Sequence, residues 1–158
     1  MESKTKPIKR HESLKSFSRE HHHSLLLGWK IRRGFSNGVS IERIKKYTDW
    51  FFVRFIEPHF KGEEKYMFPI LGEDHELIKK AMSEHRRLTR LFNDTKDIEK
   101  SLHHIEEELE RHVRFEEREL FMIIQEHATE EQLAKIDEFH KELMFEENTE
   151  DEFWEEDK

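Results

Sequence analysis

The sequence contains no cysteine, which excludes disulfides, thiolate metal sites and thiol redox chemistry; any bound metal must be held by nitrogen and oxygen. Glycine and proline are also scarce, at five and three residues. Strand-rich folds need frequent turn residues, and the hairpin-like dipeptide Asn37-Gly38 is flanked by helical rather than alternating patterns. An all-α fold is therefore expected. No apolar run approaches the ~20 residues that span a bilayer, and the N-terminal region lacks the apolar core of a signal peptide. No membrane partner and a cytoplasmic location follow as expectations. Positive charge is short as well. The formal net charge of -8 opposes the basic face that phosphate binding requires, so no nucleic-acid partner is expected, and Lys4, Lys6, Lys9 and Arg10 read as a solvated terminus.

The chain has 158 residues, about one domain by length. With 34% apolar and 41% charged residues, its core must be assembled from narrow stripes on otherwise solvated elements, the pattern of an amphipathic helical bundle. Residues 1–11 read as a flexible leader, 12–145 as the bundle and 146–158 as an acidic disordered tail. Leu14, Phe17, Leu25, Leu26 and Trp29 recur at helical spacing up to Gly34. Ser40 is a candidate cap for a second helix ending near Pro69, and Pro58 inside it predicts a kink or irregular turn just before His59. A third helix is expected after a cap at Asp74, and a fourth from Ile98 through Ile124. Thr129 with Gln132 has the form of a capping box and opens a short fifth helix through Leu133, Ile136, Phe139, Leu143 and Met144. Short connectors favour antiparallel neighbours, hence an up-down-up-down four-helix bundle with a short additional C-terminal helix.

Twelve histidines are the unusual part of the composition, and their placement carries the chemistry. The second helix contains His59, Glu63, Glu64 and Phe68, and the fourth repeats the same spacing with His112, Glu116, Glu117 and Phe121. A histidine and a glutamate four residues apart share one helical face, so each helix offers an imidazole and a carboxylate to a common point. Glu64 and Glu117 point about 100° away and are expected to be solvated or ion-paired. Either pair alone reads as a surface contact on a wet helix. The repetition beside the apolar stripe changes this, because ionised carboxylates are rarely buried without a compensating charge, which a metal supplies.

The first and third helices each add one inward histidine. Aligning His22 with His85 superposes Leu14 on Leu77, Leu25 on Leu88 and Trp29 on Phe92; aligning His21 with His85 instead matches Glu20 with Glu84 but pairs fewer apolar residues. His22 is preferred and His21 is the alternative. Four imidazoles and two carboxylates suit iron or manganese, with zinc possible. If Glu63 and Glu116 both bridge two ions, together with a solvent-derived oxygen, each ion has about five ligands and roughly one open position. His75 and His140 are candidates for an additional ligand or supporting contact.

The arrangement H...HxxxE...H...HxxxE over four helices resembles the hemerythrin HHE cation-binding domain, across roughly residues 14–127. The resemblance implies a non-haem di-iron centre linked through carboxylates and an oxo or hydroxo bridge, with His22 or His21, His59, Glu63, His85, His112 and Glu116 as ligands. It implies a protein that senses, buffers or binds iron, dioxygen or a related small molecule, the alternatives being a di-iron oxidoreductase acting on peroxide, nitric oxide or ferrous iron, and a metal-free helical adaptor. The oxygen-carrying members place a further histidine four residues before the one on the third helix, where this chain has Ala81.

Overall fold

The computed structural model of the chain describes residues 10–140, the side chain of His140 excepted, and 145–155. Among these residues all regular structure is helical and no strand occurs. The helices are α1 (Glu12–Ser36), α2 (residues 41–71), α3 (Glu76–Phe92), α4 (residues 98–127) and α5 (Glu130–His140), with a single 3₁₀ turn at Phe153–Glu155.

Side chains cap these helices much as composition foretells. The Arg43 N–H donates to Ser40 Oγ at 3.3 Å, opening α2. Thr129 N–H donates to Gln132 Oε1 and Gln132 N–H returns to Thr129 Oγ1, at 2.8 and 3.1 Å, completing the capping box of α5. At α3 the cap is His75 and not Asp74: the Leu77 N–H donates to the His75 ring at 3.1 Å. His11 does the same for α1 through the Ser13 N–H at 3.0 Å. Leu143 and Met144 lie outside the described residues.

Helices α2 and α4 are continuous but not regular. Pro58 has no N–H to give the Arg54 carbonyl, and the chain accommodates this with a wide turn over Phe52–Ile56, in which the Glu57 N–H reaches back to the Phe52 carbonyl. Two more wide turns start at Glu63 and Glu116, where Phe68 N–H bonds the Glu63 carbonyl and Phe121 N–H the Glu116 carbonyl. They occupy matching positions in the two HxxxEE repeats.

The apolar interior forms two clusters separated by a polar layer. One gathers Ile31, Ile44, Phe51, Leu88, Phe92 and Leu102; the other gathers Leu14, Phe17, Met67, Ile78, Leu120 and Ile124. Each fully buried side chain of this kind contributes about 1.5–3 kcal/mol, which is what the few stripes of a highly charged chain must supply. The ends of the helices meet in a consistent order. Gly34, late in α1, faces Ile44 at the start of α2, while His21 farther back lies beside Glu63. Lys45, early in α2, donates to the Phe92 carbonyl at the end of α3. Arg87, in the second half of α3, pairs with Glu108, and Lys80 nearer its start lies over the Phe115 ring farther along α4.

Residues 145–155 correct the expectation of a disordered acidic tail. Phe153 and Trp154 are buried in the first apolar cluster, Phe153 against Gly34, where an added Cβ would come within 2.7 Å of its ring. The acidic residues around them have partners on the bundle. Lys30 and Tyr47 donate to Glu147 at 2.6 and 2.5 Å, and Arg43 donates twice to Asp151 at 2.9 and 2.6 Å. The buried Lys30 ammonium also sits 4.0 Å from the Trp154 ring centre, a cation–π contact. Of the expected leader, residues 1–9 lie outside the described residues; Arg10 donates to the Glu117 carbonyl at 2.7 Å.

Candidate metal centre

The polar layer between the apolar clusters consists of His21 from α1, His59 and Glu63 from α2, His85 from α3, and His112 and Glu116 from α4, each at most 4% exposed. His22, the preferred residue of the first helix, is exposed. The correction has a physical reason. The stripe that α1 buries runs Leu14, Phe17, His21, Ser24, Gly28, Ile31, where small residues let α4 approach, the Gly28 Cβ position lying 3.6 Å from the Glu106 carbonyl oxygen. Leu25 and Trp29, which favoured the His22 register, face outward at 36% and 44% exposure. His75 caps α3 and stands outside the cluster, and the side chain of His140 is not described.

The six side chains divide into two sets that share both carboxylates. His21 and His59 surround one pair of oxygens: His59 Nε2 lies 3.0 Å and His21 Nε2 3.6 Å from Glu63 Oε2, and His21 Nε2 is 2.9 Å from Glu116 Oε1. His85 and His112 surround the other pair: His85 Nε2 is 3.0 Å from Glu63 Oε1, and His112 and His85 Nε2 are 3.2 and 3.7 Å from Glu116 Oε2. Each glutamate therefore turns one oxygen to each set. In both sets the ligand-type atoms lie within 4.8 Å of one another.

Every imidazole is held from behind by a further glutamate. His59 Nδ1 meets Glu20 at 2.6 Å and His112 Nδ1 meets Glu84 at 2.7 Å; His85 Nδ1 meets Glu64 at 2.7 Å and His21 Nδ1 meets Glu117 at 2.6 Å. The pattern has an internal twofold character, in which α1 and α2 correspond to α3 and α4. A glutamate just before each first-position histidine orients the imidazole of the next helix, and the second glutamate of each HxxxEE repeat orients a histidine of the other type. Glu64 and Glu117 are thus not merely solvated. The wide turns beginning at Glu63 and Glu116 put more residues into one revolution, so successive glutamates diverge by less than the ~100° of a regular helix. The signals were the repeated Glu-His and Glu-Glu dipeptides, and the Glu20/Glu84 match points to His21.

These contacts fix which ring nitrogen faces the interior. An Nδ1–H donating to a carboxylate leaves Nε2 as the inward lone pair, the tautomer a metal ligand needs. Without a cation the inward atoms are poorly satisfied: His59, His85 and His112 Nε2, both oxygens of Glu63 and Glu116 Oε2 are buried without hydrogen-bond partners. Orphaned buried groups are costly, and here they converge. Phe121 stacks on His21 and Phe68 on His85, at 5.2 and 5.3 Å between ring centres, closing the layer from one side.

Protons compete for the same atoms. Burial pushes the His59 imidazole down, but the Glu63 charge and the bond to Glu20 outweigh it and raise the group to about 9. Glu116, despite burial, is held well below the usual carboxylate range by His112, His21 and His85. For the metal-free chain the sign follows directly. A histidine raised above its ordinary value of 6.5 stabilises the fold fully below that pH and loses this contribution as pH rises through about 9. The metal-free protein should therefore melt at progressively lower temperature between those two values, an effect that bound metal should suppress.

A family model, described as the hemerythrin HHE cation binding domain, matches residues 13–124. The chain belongs to the hemerythrin HHE family. The matched span contains all six residues of the polar layer and the four glutamates behind them, and the buried His and Glu groups of this hemerythrin-like domain are compatible with metal binding. Neither the curated proteins nor the solved structures yielded a match to the chain. No helix among the described residues is long and apolar enough to cross a membrane.

Proposed function

We propose that this hemerythrin-like chain is a non-haem di-iron binding protein that senses, buffers or binds iron, dioxygen or a related small molecule, on a bundle whose four main helices run alternately up and down. The observation that carries this reading is the division of six buried side chains into two ligand sets sharing both carboxylates, Glu63 and Glu116. His21 and His59 would hold one ion, His85 and His112 the other, with each glutamate spanning the pair. Two adjacent cations repel, and two shared carboxylates offset that repulsion. The nitrogen and oxygen donor set favours iron or manganese, and zinc also fits. Each ion would be held by two imidazoles and two carboxylate oxygens, and iron there would supply Lewis acidity and one-electron chemistry.

The chain's own residues do the rest. Glu20, Glu84, Glu64 and Glu117 hold each imidazole in one tautomer, and Phe68, Phe121 and Phe17 exclude water from its faces. Glu84→Ala, which removes the partner of His112 Nδ1 and an exposed ion pair with Lys80, is expected to weaken metal binding roughly 10–100-fold without unfolding the bundle. Competition with a chromophoric chelator measures this, and an unchanged affinity would show that Glu84 orients nothing.

Titration of metal-free protein with ferrous ion under anaerobic conditions should saturate at two ions per chain and raise the melting temperature. Saturation at 1,000 times the dissociation constant is worth about 4 kcal/mol per independent site. A chain that takes up no metal, with unchanged melting, would instead fit a helical adaptor. Turnover of peroxide, nitric oxide or ferrous iron by the loaded protein would make it an oxidoreductase using the same ligands.

A further inference from the structure

A cleft of about 370 Å³ opens between α1 and α2 on the outer side of His59. Its walls are Phe51, Phe55, Pro58 and Phe145, and its floor is the Glu20–His59 pair. Phe145 is held in place by stacking on His23, with ring centres 4.0 Å apart. Two guanidinium groups, Arg19 and Arg54, stand at the rim. Arg19 donates to Ser16 Oγ, and among the described residues no carboxylate pairs with Arg54.

The internal twofold character provides a comparison within the same molecule. The corresponding cleft, of about 390 Å³, lies beside the Glu84–His112 pair. There Arg87 stands in the place of His23, Glu108 in that of Phe55 and Arg111 in that of Pro58. An ion pair there joins the two helices: Arg87 makes two bonds to Glu108, both at 3.0 Å, and Lys80 lies 3.7 Å from Glu84. One repeat has thus lined its cleft with a joined ion pair, and the other has placed aromatic walls under a cation that no carboxylate of the described residues pairs.

We propose that the α1–α2 cleft is a binding site for a small carboxylic acid with an aromatic or branched apolar body. The volume is at the lower end of that of ligand pockets, the apolar walls supply desolvation, and a planar guanidinium is the side chain best suited to a carboxylate. The ligand's ring lies among Phe51, Phe55 and Phe145, and its carboxylate meets Arg54, with Arg19 alongside. On the metal-binding reading above, such an occupant rests against an imidazole that also faces the ion, so the cleft is a place from which a metabolite biases that half of the centre.

The test uses benzoate, with benzamidine as the cation of the same shape, titrated into metal-free and metal-loaded full-length protein and followed by NMR. Because both forms are titrated, failure to load metal leaves the ligand assay intact. Saturable benzoate binding is expected, with shifts centred on His23, Phe55 and Phe145 and weaker binding of benzamidine. Arg54→Ala, at an exposed position, should weaken benzoate about tenfold or more. Phe55→Glu, which copies Glu108 of the other cleft, should abolish it. No saturable binding, benzamidine binding as well as benzoate, or an Arg54→Ala protein of unchanged affinity would overturn the proposal.

Discussion

Glu63→Ala is expected to leave the protein without either metal ion under conditions that saturate the unaltered chain with two. The reason is geometric: Glu63 turns Oε2 toward His21 and His59 and Oε1 toward His85. Its loss removes a ligand from both positions and halves the negative charge that offsets the repulsion between the cations. His59→Ala removes a ligand from one position only, so one ion should remain with His85, His112, Glu63 and Glu116. Equilibrium dialysis followed by elemental analysis distinguishes the two variants. A Glu63→Ala protein that retains one tightly bound ion would show that the carboxylate is not shared.

The second large effect lies far from the centre. Trp154→Ala should destabilise the fold by about 3–5 kcal/mol, and Phe153→Ala by a similar amount, because both rings are buried in the apolar cluster to which all four main helices contribute. Typical domains have about 5–15 kcal/mol in total, so either change consumes a large part of the stability. Trp154→Ala also strips the cation–π partner from Lys30, leaving a buried ammonium that relies on Glu147 and Tyr47. Denaturant unfolding measures this directly; a loss below about 0.5 kcal/mol, the range of ordinary surface substitutions, would mean that the segment is not part of the core.

That segment also shows where sequence reasoning stops. Residues 146–158 are dominated by Asp and Glu, and acidic composition ordinarily means solvation. What reverses it is a set of distant cations, Lys30 on α1 and Arg43 on α2, that no local pattern connects to Glu147 and Asp151. The helices themselves were legible because their stripes recur at regular spacing, and the capping box at Thr129 and the cap at Ser40 were legible because the chemistry is local. The inward positions of His59, Glu63, His112 and Glu116 could be read for a different reason: a repeated motif carries its own control.

His21 was harder. Two outward apolar residues, Leu25 and Trp29, mimic a buried stripe, while the true stripe uses Ser24 and Gly28, whose small size is a packing requirement and not a hydrophobic signal. The better guide was electrostatic. Glu20 and Glu84 precede His21 and His85 because each orients an imidazole on the neighbouring helix, at His59 and His112. Asp74 lost the cap of α3 to its neighbour His75, a one-residue shift of the kind that helix termini commonly show. The wide turn at Glu63 is followed by Pro69 as that at Phe52 is by Pro58, but the matching turn at Glu116 has no proline to announce it.

Anomalous diffraction from a crystal of the iron-loaded protein tests the central claim most directly. Two peaks are predicted within the polar layer, one beside His21 and His59 and the other beside His85 and His112, with Glu63 and Glu116 reaching both. A single peak, or iron bound anywhere else on the chain while this layer stays metal-free, would contradict the account.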